Sequence, residues 1–235
     1  MKKRSALVTG GTRGIGEAIA RKLLHNGASV AVTGTRKDGN APEGCTYHGV
    51  DFTDRKAMIE FVSVVKDMGV DILINNAGIN KIGNFSEVHA DDFDMIQEVN
   101  IRAPFLLCQA VVPGMKQKKW GRIINITSIF GKVSKELRAS YSASKFALDG
   151  MTSALAAEVT KYGILANCVA PGVIDTDLTR AVLGSKGIME MISRIPAGRL
   201  GNTDEIASFV VWLAGPENTY ISGQNIAIDG GFTRV

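Results

Sequence analysis

Tyr141 and Lys145 stand four residues apart at the start of a stretch with helical periodicity, and that spacing can do proton-transfer chemistry. Residues four apart share one helical face, so the ammonium can approach the phenol. A nearby cation stabilises the phenolate and lowers a pKa that is about 10 when unperturbed. On this reading Tyr141 becomes a usable acid or base near neutrality, a proton shuttle. Thirteen residues upstream, Ser128 closes the apolar run Ile124-Asn125-Ile126-Thr127.

A second cluster suits an anion. Immediately after the first apolar run comes Thr9-Gly10-Gly11-Thr12-Arg13-Gly14-Ile15-Gly16, leading into a helical pattern. Glycines at Gly10, Gly14 and Gly16 let the backbone turn tightly and approach a pyrophosphate, and the helix N-terminus presents N–H groups to it. A Gly-rich loop placed between a strand and a helix is the context expected of a dinucleotide site, with Thr12 and Ile15 in the same loop. Where an acidic residue would hold the adenosine 2′-hydroxyl, the second run ends Val32-Thr33-Gly34-Thr35-Arg36. Arg13, Thr35 and Arg36 instead offer a guanidinium fork and a hydroxyl to a 2′-phosphate, so NADP(H) is favoured over NAD(H). The alternative is that Arg13 and Arg36 are ordinary solvated charges beside Lys37 and Asp38.

Other chemistries fail on inventory. There is no GxSxG nucleophile elbow and no lysine closing the glycine loop as in a P-loop. His25, His48 and His89 are scattered without metal-ligand spacing, so no metal is expected. Cys45, Cys108 and Cys168 form no CxxC pair, which fits a reducing, cytoplasmic setting. The basic start Met1-Lys2-Lys3-Arg4 is followed by too short an apolar run for a signal peptide, and no run is long enough to span a membrane. The formal net charge of +4 is small, and the basic cluster Lys116, Lys118, Lys119 and Arg122 follows a helical pattern, where cations offset a helix C-terminus. Without interleaved aromatics it does not point to nucleic acid.

These residues need a frame to hold them. Short runs rich in β-branched residues recur at Ala6 to Thr9, Ser29 to Thr33, Tyr47 to Val50, Asp71 to Asn75, Arg122 to Thr127, Ile164 to Ala170 and Asn225 to Ile228. They read as buried parallel strands. Helical stripes alternate with them, such as Ile15, Ile19, Leu23, Leu24 and Leu148, Met151, Leu155, Val159. The expectation is an α/β, doubly wound, Rossmann-type fold: a central seven-stranded parallel sheet with helices on both faces. One domain is expected over 1–235, its cofactor half about 1–130 and its catalytic and substrate elements about 131–235. Gly27 suits a left-handed C-cap, and Asp91 or Asp92 an N-cap for the helix running through Ile96 and Val99. Asn75 reads as a tie between strands.

Thr9-Gly10 to Gly16, Asn75-Asn76-Ala77-Gly78, Asn100, Ser128, Tyr141 with Lys145, and Pro171-Gly172 together resemble the classical short-chain dehydrogenase/reductase family along essentially the whole chain. The resemblance implies hydride transfer between a nicotinamide and a ketone or secondary alcohol. It casts Tyr141 as proton donor or acceptor, Ser128 as holder of the substrate oxygen, Lys145 as binder of the nicotinamide ribose and tuner of Tyr141, and Asn100 as anchor of a relay water. It also places Asp51 at the adenine amino group with Phe52 beside it, Asn76, Ala77 and Gly78 along the adenosine, and Ile174 and Thr176 at the nicotinamide amide and phosphates.

Within that family, Asp175 to Arg180, Arg194 to Gly201 and the ending Asp229-Gly230-Gly231-Phe232 are most similar to bacterial 3-oxoacyl-acyl-carrier-protein reductases, NADPH enzymes of fatty acid synthesis. Basic residues dock the carrier protein in those enzymes; Lys119 occupies one such place, but Tyr162 stands at the other. Lys132, Lys135, Glu136 and Arg138 charge the loop before Tyr141, which suits a small polar or anionic substrate or a solvated rim. A sugar or polyol enzyme therefore stays open as the second reading, and a non-catalytic NADP-binding sensor as the third. The stretch from Thr179 to Ile195, with Gly184 and Gly187, reads as a mobile lid. The family resemblance also implies a homotetramer, for which the apolar faces around Phe105 and Leu148 are candidates.

Overall fold

Each of the seven apolar runs is a strand in the computed structural model, which describes residues 1–234. The strands are β1 (Ser5–Val8), β2 (Ser29–Gly34), β3 (Thr46–Gly49), β4 (Ile72–Asn75), β5 (Gly121–Ile126), β6 (Ile164–Pro171) and β7 (Asn225–Ile228). All pair in parallel, in the order β3-β2-β1-β4-β5-β6-β7. The order reverses between β1 and β4, where a doubly wound sheet opens a crevice at its carboxyl edge.

Helices α1 (Gly14–His25), α2 (Arg55–Asp67), α3 (Ala90–Gln97), α4 (Ala103–Lys118), α5 (Ala139–Val159), α6 (Asp177–Ser193) and α7 (Thr203–Leu213) fill the crossovers. Alternation along the strands builds a core on each face. Leu7, Leu73 and Ile123 meet Phe61, Leu107, Met115 and Val159 on one side. Val8, Ile74 and Ile124 meet Ile19, Leu23, Ile206 and Val210 on the other. A fully buried Leu or Ile contributes about 1.5–3 kcal/mol, so these two layers hold the strand ends in place.

Local signals behave unevenly. Gly27 takes the left-handed conformation (φ 86°) just past α1 and its N–H returns to the Leu24 carbonyl. Asp91 and Asp92 do not cap α3: the N-cap is His89, and both carboxylates lie in the first turn, where they still complement the dipole. Arg122 departs from the helical cluster assigned to it. It lies buried in β5, its guanidinium donating to the carbonyls of Gly121 (2.8 Å) and Asn218 (2.9 Å) and standing 4.5 Å from the centroid of the Trp120 ring, against which Arg4 also packs.

A polar chain crosses this apolar interior. Asn75 donates to Asn125 Oδ1 (2.7 Å), Asn125 to Thr152 Oγ1 (2.7 Å), and Thr152 to the Leu148 carbonyl (2.7 Å), tying β4, β5 and α5 together. Asn75 and Asn125 are register partners, which bears out the strand-tie reading of Asn75.

Candidate active site

The loop after β1 is built by two left-handed glycines, Gly10 (φ 62°) and Gly14 (φ 56°). Gly16, in the first turn of α1, has no room for a side chain: a Cβ there would stand 2.2 Å from the Gly10 carbonyl oxygen. Thr9 locks the loop to β4. Its hydroxyl accepts from the N–H groups of Asn76 (3.0 Å) and Ala77 (2.9 Å), while the Asn76 amide donates back to the carbonyls of Thr9 (2.9 Å) and Gly10 (3.1 Å).

Above this loop, at the β1/β4 reversal, lies a cleft of about 820 Å³. Gly10, Thr12, Arg13, Gly14, Ile15, Gly16, Thr35, Arg36, Asp51, Phe52, Asn76, Ala77, Gly78 and Thr176 all line it. Arg13, Thr35 and Arg36 are exposed at its β2 end. The Asp51 carboxylate closes a tight turn by accepting from the N–H (2.9 Å) and hydroxyl (2.8 Å) of Thr53. Phe52 is buried, its ring tilted against Phe61 at 6.3 Å, and its edge reaches the cleft. Ile174 is placed elsewhere. It is buried, bridges to Gly201 and lines a separate small cavity with Gly172 and Ile206.

Sequence reasoning missed Thr33, Tyr47, Gly39, Asn40 and Met95 among the lining residues. Thr33 Oγ1 accepts from the Gly10 N–H (3.1 Å). Tyr47 lies flat against Gly34 and Gly39, and its hydroxyl donates to the Arg36 carbonyl, so it shapes the turn that carries Thr35 and Arg36. The signal was available: two glycines flanking that turn leave space for one large ring on the neighbouring strand.

The proton-transfer set meets next to Gly78, beyond the residues that line this cleft. Ser128 follows β5 and its hydroxyl accepts from the Phe130 N–H (3.1 Å) at the start of a short 3₁₀ turn, Ile129–Gly131. A Cβ at Gly131 would stand 2.8 Å from Lys145 Cβ, so that turn seats directly on α5. Lys145 is buried and donates to the Ile126 carbonyl (2.8 Å); its ammonium is 5.5 Å from the Tyr141 ring centroid. A Cβ at Gly78 would stand 3.5 Å from Lys145 Nζ, so the floor of the cleft ends at the lysine.

Electrostatics depart from the expectation for Tyr141. Burial raises its hydroxyl pKa, against the hydrogen bond with Ser128 and the charge of Arg138, which lower it. Burial also pushes Lys145 down to about 8, which still leaves it a cation at neutral pH. Desolvation outweighs the four-residue pairing because Lys145 is buried and the partly buried Tyr141 has little water around its hydroxyl.

Asn100 occupies a π turn, Glu98–Arg102, between α3 and α4. It is fully buried; its Oδ1 accepts from the Ile79 N–H (2.9 Å) and its amide donates to the Ile79 carbonyl (3.0 Å) and Ser144 Oγ (3.0 Å). The side chain braces the turn after β4 against α5, so a relay water here would have to meet the Asn100 backbone carbonyl. The stretch expected as a lid is α6, broken at Gly184 (φ 61°, ψ 177°), with Leu178, Val182 and Met189 exposed.

Among the described residues no His, Cys, Asp and Glu cluster could hold a metal, and no helix is long and apolar enough to cross a membrane. A family model described as "Enoyl-(Acyl carrier protein) reductase" matches residues 10–233. The 3-oxoacyl-[acyl-carrier-protein] reductase FabG of Salmonella typhimurium is 41% identical over 239 residues, covering 98% of this chain and 97% of that protein. The acetoacetyl-CoA reductase of Shinella zoogloeoides is 38% identical over 235 residues, covering 97% and 98%. Among solved structures, a gluconate 5-dehydrogenase from Burkholderia cenocepacia, in complex with NADP and tartrate, superposes with a TM-score of 0.91 at 30% identity, covering 100% of this chain and 97% of that one.

Proposed function

The chain belongs to the short-chain dehydrogenase/reductase family, and on that premise we propose that it is an NADP(H)-dependent reductase of 3-oxoacyl thioesters. The observation that carries this reading is a cleft lined by Arg13, Thr35 and Arg36 whose Gly78 would bring a Cβ to 3.5 Å from Lys145, the residue that faces the Tyr141 ring. At the left-handed Gly14, where α1 begins, a Cβ would have only Thr176 Cγ2 within reach at 3.8 Å, so the helix N-terminus faces open space where a pyrophosphate would lie and the residues present fit a dinucleotide. A bound nicotinamide supplies or takes the hydride.

The chain's own residues handle the oxygen. Ser128 and Tyr141 donate two hydrogen bonds to the substrate carbonyl, polarising it. Tyr141 then gives its phenolic proton to that oxygen as the carbon is reduced. Lys145 steadies the phenolate left behind.

The relatives' names supply the thioester: reductases of 3-oxoacyl-carrier substrates and of acetoacetyl-CoA. A docking surface for an acidic carrier protein is supported at Tyr162, whose ring has the ammonium groups of Lys116 at 4.7 Å and Lys161 at 5.3 Å, so cations stand close to the position where one is missing. A homotetramer in the cytoplasm completes the proposal. Phe105 on α4 and Phe146 on α5 are exposed, and all three cysteines are free thiols.

The second reading, a dehydrogenase of a small polar alcohol such as a sugar acid, draws on the gluconate enzyme's fold and on the cationic Arg138 beside Tyr141. The deciding assay follows the reduced-nicotinamide absorbance with acetoacetyl-CoA, using NADPH and NADH in parallel. Rapid NADPH oxidation with little NADH use is expected; turnover of gluconate-type substrates alone would replace the thioester reading with the second one.

A further inference from the structure

Arg138 is the N-cap residue of α5, three positions before Tyr141, yet its side chain makes no capping bond. It is half-buried, with its guanidinium carbon 5.9 Å from the centroid of Phe130, the residue whose N–H donates to Ser128. It therefore stands on the same rim as both donors to the substrate oxygen.

The turn delivering it is unusual. Leu137 is held in the left-handed region (φ 64°), which is strained for a branched side chain, and its carbonyl accepts from the Gly83 N–H (3.3 Å). Its neighbours in the charged loop are differently placed: Lys132 reaches away to the Asn225 carbonyl (2.7 Å). Among the described residues no carboxylate forms an ion pair with Arg138. A partly desolvated guanidinium without an anionic partner, next to a reacting oxygen, is a recognition group awaiting an acceptor.

We propose that Arg138 is a specificity-determining residue that holds a second oxygen of the substrate, a thioester carbonyl or a carboxylate a few bonds from the reacting carbon. The inference rests on the ketone-reductase reading of Ser128, Tyr141 and Lys145. A 3-oxoacyl thioester carries such an oxygen two carbons from its keto carbon, and a hydroxy or oxo acid carries it as a carboxylate. The cation's reach is independently visible in Tyr141, whose pKa Arg138 pulls down, while burial lowers Arg138's own.

The test compares acetoacetyl-CoA, acetoacetate and cyclohexanone, which lacks a second oxygen, in the wild type, Arg138→Gln and Arg138→Lys. Removing a charge-assisted hydrogen bond costs about 10- to 100-fold. The ratio of kcat/KM for the better of the first two over cyclohexanone is expected to fall by that factor in Arg138→Gln and to recover partly in Arg138→Lys. A larger fall for acetoacetyl-CoA identifies the thioester carbonyl as the partner, and a larger fall for acetoacetate the carboxylate. An unchanged ratio, or equal losses on all three substrates, overturns the inference.

A wild type that reduces none of them counts against the thioester reading alone. Binding of 3-hydroxybutyrate to the NADP-loaded protein by calorimetry then decides for Arg138. Weaker binding in Arg138→Gln supports its role, and equal or absent binding refutes it. Because Arg138 contributes only its backbone carbonyl to the helix start, on which the Ser142 N–H donates (2.7 Å), the variants retain that contact.

Discussion

Thr9→Val tests whether the phosphate loop is held by one hydroxyl. Valine fills nearly the same volume, so no cavity opens and the change isolates the hydrogen bonds. Two backbone N–H groups, of Asn76 and Ala77, lose their acceptor at 3.0 and 2.9 Å, while the hydroxyl's own contact with the Ile74 carbonyl, at 3.5 Å, is long and contributes little. An unsatisfied buried donor costs about 1–3 kcal/mol, giving a loss of about 2–6 kcal/mol, toward the lower end because Asn76 is only partly buried. At about 2–4 °C per kcal/mol for a domain of this size, Tm should fall by about 5–15 °C. Thr9→Ser keeps the acceptor and loses one methyl, about 1 kcal/mol. Both variants and the wild type are compared by thermal unfolding and by NADPH titration, with weaker NADPH binding expected in Thr9→Val. If Thr9→Val and Thr9→Ser melt together, the hydroxyl is not what fixes the loop.

Tyr141→Phe should lower kcat by about 10²- to 10⁴-fold while NADPH affinity stays within about twofold, and a near-wild-type rate would remove the phenol from the mechanism. Arg36→Ala combined with Arg13→Ala should cut NADPH affinity about tenfold or more with little effect on NADH, measured as the ratio of the two dissociation constants; an unaltered ratio would return both arginines to the solvated surface. Lys145 gives a pH signature. Its folded-state pKa of about 8 lies below the ordinary 10.5, so between those values the unfolded chain binds a proton that the folded chain does not. Stability from this group therefore rises with pH across that window. The unfolding free energy of the wild type minus that of Lys145→Met, from urea titrations, should increase from pH 8 to 10.5; a flat difference would mean that Lys145 is not desolvated.

How much of this was legible in the sequence depended on the range of the forces involved. Each predicted run overlaps the observed strand to within a residue or so at its ends; the central strands are buried β-branched runs as expected, whereas the edge strands β3 and β7, which have a neighbour on one side only, are partly exposed. The glycine loop was legible because close packing at Gly16 excludes any side chain. The cap at Asp91 or Asp92 failed because an acidic residue suits both the cap and the first turn, and only the chain direction at His89 chooses between them. Arg122 was read both as the first residue of the fifth strand and as the last of a helical cluster of cations; the strand reading holds, since Lys119, left-handed at φ 52°, ends the helix before it. The direction of the Tyr141 shift was missed since spacing reports neighbours but not desolvation, which is a property of the whole fold. The π turn at Asn100 has no composition signal at all.

The amide chain from Asn75 through Asn125 to Thr152 bears on how the protein reaches its fold. Leu73, Ile74, Ile123 and Ile124 are nearly interchangeable as apolar surface, so β4 and β5 could slip by two residues and still bury their side chains on the same faces. Such a slip would strand the asparagine amides among hydrocarbons at about 1–3 kcal/mol for each group left unpaired. Chain segments that meet across a separation of 50 residues are thus admitted in one alignment and rejected in the others. In the native alignment the polar chain keeps the Ser128 end of β5 level with the loop that follows β4.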